Sequence, residues 1–186
     1  MILQFKAVEE IFFTRHIIAE SSEQAFRGRL QHFQRIGFPD GVNTGRGKPA
    51  QYGWTQLFQL AFALDFVELG QPPEVAAKIV RENSDVLMAA VASMKPQLIA
   101  MEVSMLAHMK PEGHQEIAQI WVLSDEYIME MLTKVGLSSY RPTIITNAGS
   151  VLDFILGQVA RVTEGDHSEI EADLAEWAKE ARKYSK

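Results

Sequence analysis

The chain has 186 residues, no cysteine, a formal charge of −6 and 47% hydrophobic side chains. Without cysteine there are no disulfides, thiolate metal sites or cysteine nucleophiles, which suits a reducing, cytoplasmic setting. The composition is that of a packed globular protein. No run of 18 apolar residues suggests a membrane span, and no basic-then-apolar leader suggests export.

The net charge hides an asymmetry. Residues 1–83 carry nine basic and nine acidic side chains, whereas residues 84–186 carry nine basic and fifteen acidic, so the whole excess lies in the second half. Within the first half, residues 25–49 hold Arg27, Arg29, Arg35, Arg46 and Lys48 against one acid, Asp40. Nine of the ten phenylalanines precede residue 67, and seven of the eight methionines fall between Met88 and Met131. This shift predicts two domains with different cores, 1–83 and 84–186.

From the N-terminus, apolar positions predict a helix over Val8–Ala19, with glutamates in its first turn. Ser21-Ser22 breaks the pattern and offers an N-cap. A second helix over Glu23–Ile36 places Phe26, Leu30 and Phe33 on one face, and Gly37 with Pro39 beyond it ends the run. Residues 41–49 contain three glycines and a proline. Flanked by Phe38 and Tyr52, they read as a short hairpin, or wing, with a basic Gly45-Arg46-Gly47-Lys48 tip. Trp54–Leu69 is apolar nearly all round and predicts a buried helix ending at Gly70. Pro72-Pro73 then opens a fourth helix through Arg81.

This order resembles the winged helix-turn-helix domain of the MerR family of transcription regulators. The residues that carry the resemblance are Arg35-Ile36-Gly37-Phe38 after the second helix, Tyr52 closing the wing, Leu57 through Leu69-Gly70, and Glu74-Val75. It covers residues 5–83. Where the family has an Arg-Tyr-Tyr-Glu-Arg run in its recognition helix, this chain reads Gln31-His32-Phe33-Gln34-Arg35. The resemblance also fits phage DNA-packaging and excision proteins, which use the same module. It implies binding of double-stranded DNA. A recognition helix at residues 23–36 would lie in the major groove, where arginine, glutamine and asparagine read base edges. The wing at residues 43–50 would lie on phosphates or in the minor groove. The expected contacts are Arg27, Arg29, Gln31, Gln34 and Arg35 on the helix, and Asn43, Thr44, Arg46 and Lys48 in the wing.

Other chemistries find little footing. Gly41 to Gly47-Lys48 has five intervening residues where a phosphate loop has four, and Pro49 replaces its serine or threonine. His108, Glu112, His114 and Glu116 fit no metal-ligand spacing, and no nucleophile or paired-carboxylate constellation emerges. No metal, cofactor or catalytic activity is expected.

In the second half, Leu98–Val103 and Ile117–Leu123 are apolar runs that periodicity assigns equally to strand or helix. Met94, Met101, Met105 and Met109 recur at helical spacing, interrupted by Pro96. Thr143–Thr146 predicts a short strand and Ser150–Val162 a helix. The last helix, Glu169–Tyr184, has Ser168 and Glu171 as a capping box. Ile170, Leu174, Trp177 and Ala181 form its stripe, for packing on its own domain or on a second subunit.

The sequence therefore predicts a mainly α, α+β protein: an N-terminal winged helix-turn-helix and an α-rich second domain with short strands, for assembly or for sensing a protein partner or small effector. Its expected function is sequence-specific transcriptional regulation on the nucleoid. Its expected state is a homodimer, because one recognition helix buries little DNA surface. The alternative is a protein-interaction adaptor, or phage-type packaging accessory, built on the same module. No membrane partner is expected.

Overall fold

The structure, a computed structural model, describes residues 1–42, 49–104, 118–124 and 143–183, together with Met109, Glu126 and Ile128. A two-residue strand, β1 (Leu3–Gln4), runs into α1 (Phe5–Arg15). This helix starts three residues before the expected Val8 and stops four before Ala19. It ends where Ile18 N–H donates to Phe13 O at 3.0 Å and Ile17 N–H to Thr14 O at 3.4 Å. That double closure places a left-handed residue just past the helix. The residue is Ile17, at φ 50° and 91% exposed. A left-handed backbone costs a non-glycine residue about 1–2 kcal/mol.

A 3₁₀ turn (Glu20–Ser22) leads into α2 (Glu23–Arg35), which buries Phe26, Leu30 and Phe33 as their spacing predicts. Ser22 stands at the N-cap, but its side chain makes no capping bond, so the expected serine cap is not formed. Gly37, at φ 73°, follows the helix, and Phe38 N–H closes back on Phe33 O at 2.9 Å. The strand β2 (Gln51–Tyr52) pairs antiparallel with β1, matching Tyr52 to Leu3 and Gln51 to Gln4. Tyr52, expected to flank a hairpin over residues 41–49, pairs with the N-terminal strand, and residues 43–48 of that expected wing lie outside the described residues.

Next come α3 (Trp54–Glu68), α4 (Pro73–Glu82) and α5 (Ser84–Ala92). Ten residues of α3 are buried, which follows from its lack of a polar face. The second half contributes β3 (Leu98–Val103), β4 (Ala118–Val122) and β5 (Thr143–Asn147), an antiparallel sheet in the order β4-β3-β5. Ile99 lies opposite Val122 on one side and Thr146 on the other. The ambiguous apolar runs are thus strands. The methionines do not share a helix: Met94 follows α5 and Met101 is buried on β3.

The chain ends in α6 (Ala148–Thr163) and α7 (His167–Ala181). Asn147 caps α6 through Gly149 N–H at 2.9 Å. Asp166 caps α7, accepting from Ser168 N–H at 2.7 Å, so the expected cap formed by Ser168 gives way to the aspartate before it. Among the described residues there are seven α-helices and small antiparallel sheets, a mainly helical α+β architecture. None of these helices is long and apolar enough to cross a membrane.

One hydrophobic core runs from Leu3 to Leu174 and does not divide at residue 83. The Phe58 ring lies 6.1 Å from Trp54 and 5.1 Å from Trp177, between centroids. Trp177 Nε1–H donates to Thr55 Oγ1 at 2.9 Å, so the last helix packs on the first half of its own chain. On the other side, Arg161 of α6 reaches Glu10 of α1 at 2.8 Å. Much of the aromatic bulk clustered early in the sequence lies on α3, within this core.

Asp173 on α7 closes the structure at the N-terminus. Its carboxylate accepts from the Met1 ammonium at 2.9 and 2.8 Å, and from Trp54 Nε1–H at 2.7 Å. Burial pushes its pKa up, but the bonds from Met1 and Trp54 outweigh burial and hold it below the ordinary value of 3.8. A carboxylate with a lowered folded pKa contributes stability above its unfolded pKa and loses it as pH falls through the folded value. The melting temperature should therefore begin to fall near about pH 4 and keep falling below it. Asp173→Asn should melt lower at pH 7 and lose part of that acid limb, which thermal melts over pH 2–7 would show.

Candidate nucleic-acid interface

On α2, residues three and four apart share a face, so burial of Phe26, Leu30 and Phe33 turns Gln24, Gly28, Gln31 and Arg35 outward. Gln24, Gln31 and Arg35 are exposed. Neither Gln31 nor Arg35 bonds to any described residue. Gly28 lies between Gln24 and Gln31 in a polar groove also lined by Glu20, Glu23 and Arg27. A methyl group built on Gly28 would meet nothing within 4 Å.

The other candidates on this helix are engaged elsewhere. Arg27 Nε–H donates to Glu9 of α1, whose side chain is only 8% exposed. Moving Arg27 to a phosphate would strand a buried carboxylate, so Arg27 is a structural cation with one exposed flank. Gln34 Nε2–H donates to Tyr52 Oη at 2.6 Å, fastening β2 to the last turn of α2. Burial raises the Tyr52 phenol pKa, against the pull of the Gln34 bond. Arg29 points to the opposite flank, toward His16, Phe26 and Leu64. The structure thus brings Gln31 and Arg35 together and separates Arg29 and Gln34 from them.

Asn43, Thr44, Arg46 and Lys48 lie outside the described residues. The chain on either side of them is held at the C-terminal end of α2. Arg81 of α4 donates to Asp40 Oδ1 at 2.8 Å and to Gly37 O at 3.2 Å, with its guanidinium 5.6 Å from the centre of the Phe38 ring. Gln56 of α3 donates to Asp40 O at 3.0 Å and accepts from Gly53 N–H at 3.0 Å. His32 contacts Glu74 at 2.6 Å. A hydrogen bond from its own backbone N–H and then the bond to His32 hold the Glu74 pKa below its ordinary value.

Sequence reasoning missed Gln24, Gly28 and Glu9. Gly28 did leave a signal, since a glycine inside a periodic helix calls for a reason. Glu9 left none, because only the tertiary fold buries it. A separate cleft of about 270 Å³ opens between α3 and the three-stranded sheet, lined by Phe62, Phe66, Leu69, Met101 and Ile144 among others. The chain matches no known protein-family model and no curated protein sequence.

Proposed function

We propose that the first half of the chain is a winged helix-turn-helix that binds double-stranded DNA sequence-specifically, in a transcriptional regulator. The outer face of α2 enters the major groove, and the basic segment at residues 43–48 takes phosphates or the minor groove. Gly28 is the observation that carries this reading. Glycine inside a helix costs about 0.5–1 kcal/mol relative to alanine. Packing inside the protein does not require it, since a Cβ would meet no atom within 4 Å. Close approach of this helix backbone to DNA would account for it here, where Gly28 sits in one groove with Gln24 and Gln31. Around it stand Gln24, Gln31 and Arg35, side chains with the right donors and acceptors for base edges. Glu20 and Glu23 lie at the start of the 3₁₀ turn and of α2, so the phosphate-facing end is the one bearing Arg35.

The test uses the opposite signs that this predicts. Gly28→Ala should raise the melting temperature by roughly 1–4 °C, yet weaken duplex binding about tenfold, the equivalent of about 1.4 kcal/mol. Gly157, also open to 4 Å but on α6, is the control. Gly157→Ala should stabilise to a similar extent and leave DNA affinity unchanged. Wild-type affinity in Gly28→Ala would overturn the reading.

The adaptor reading has one observation in its favour. Arg27 and Gln34 serve Glu9 and Tyr52 instead of standing free. Folded protein that captures no duplex at low salt would promote it.

A further inference from the structure

Apart from the α2 face, three side chains converge where the end of α1 meets the end of α3. Asp65 and Glu68 stand three residues apart on the last turn of α3, and His16 is the residue that caps α1. One ligand atom from each, an imidazole nitrogen and two carboxylate oxygens, lies within 4.8 Å of the others. His16 Nδ1 is 2.7 Å from Glu68 Oε2. The imidazole is 7% exposed while the Glu68 side chain is 66% exposed, so the group has a buried floor and an open mouth. The Nδ1 that faces Glu68 is the nitrogen open to a shared ligand; the ring packs beside Phe12 and Phe26, with Nε2 buried and without a hydrogen-bond partner among the described residues.

We propose that His16, Asp65 and Glu68 bind a divalent transition-metal cation, with Zn²⁺ the best fit. One nitrogen and two carboxylate oxygens are a three-ligand set that leaves zinc's fourth position to water or a further ligand. Mg²⁺ and Ca²⁺ take oxygen donors, so the imidazole selects against them. Arg15 already holds Asp65 in place, donating from Nη2 to Oδ2 at 2.7 Å and from Nε to Oδ1 at 3.2 Å. Oδ2 accepts only that one bond among the described residues and keeps a lone pair for the metal, with Arg15 as the partner that orients the carboxylate. Tetrahedral coordination needs ligand atoms about 3.4 Å apart at zinc's usual bond lengths. The exposed Glu68 supplies the closure by a change of rotamer, as Nδ1 of His16 gives up its hydrogen-bonding proton to solvent and takes the shared ion in its place. The site ties the end of α1 to α3 and stands independently of the DNA reading.

The experiment is calorimetric titration of the chelator-treated full chain with Zn²⁺, and separately with Mg²⁺. Wild type should bind one Zn²⁺ per chain and show no binding of Mg²⁺. Glu68→Gln keeps the size of an exposed side chain and preserves the fold, and it should weaken Zn²⁺ at least about tenfold; Asp65→Asn should do the same. Glu74→Gln serves as the control, because it alters a His–Glu pair, with His32, that lacks a third ligand among the described residues; it should bind as wild type does. Absence of stoichiometric Zn²⁺ would overturn the proposal. So would unchanged binding in Glu68→Gln, which would place the ion on histidines elsewhere in the chain.

Discussion

Replacing Gln31 and Arg35 together by alanine is expected to weaken specific DNA binding by about 2–6 kcal/mol, roughly 30-fold to 10⁴-fold. Both side chains are exposed on α2, one turn apart, and neither bonds to a described residue, so the fold should lose little. Glutamine pairs bidentately with adenine and arginine with guanine, each such contact being worth about 1–3 kcal/mol of discrimination. Binding to random duplex should fall much less, losing only one charge and about one unit of salt slope. Parallel titrations against random duplex and a duplex selected from a random library separate these cases. Equal losses on both would make Arg35 a phosphate contact only. No loss on either would remove α2 as the reader. Gln34→Ala makes a contrast: its bond to Tyr52 makes it a stability variant, not a specificity variant.

Phe58→Ala should cost about 3–5 kcal/mol, lowering the melting temperature by roughly 6–20 °C. The ring is fully buried between Trp54 on its own helix and Trp177 on the last one. Truncation opens a cavity where the two halves of the chain meet, and both should respond. Calorimetry should show one transition shifted as a whole. Two transitions, with only one moved, would favour the two-domain organisation suggested by composition.

Where the sequence was legible, one local signal dominated. α2 buries its three-residue stripe and ends at a glycine, and α3 lacks a polar face, so both lie within a residue of their expected bounds. α1 was misjudged because its stop falls on Ile17. A glycine in that left-handed position would have marked the end; an isoleucine looks like continuation. β3 and β4 were ambiguous because a short apolar run has no period until its neighbours are known. The candidate face depended on long-range partners that no periodicity records. Arg27 and Gln34 read as free polar side chains until Glu9 and Tyr52 arrive from elsewhere in the chain. His16 lies 49 residues before Asp65 and 52 before Glu68, and meets them only where the end of α1 reaches the end of α3.

The most direct test of the central claim is duplex binding by the purified full chain across a salt series, using random DNA and the DNA upstream of its own coding sequence. An Arg46→Ala/Lys48→Ala double variant runs beside it. Log affinity should fall linearly with log salt, with a slope reduced by about two units in the double variant, one for each phosphate-facing cation removed. Protein that is folded by circular dichroism yet binds neither duplex at about 50 mM salt would contradict that claim.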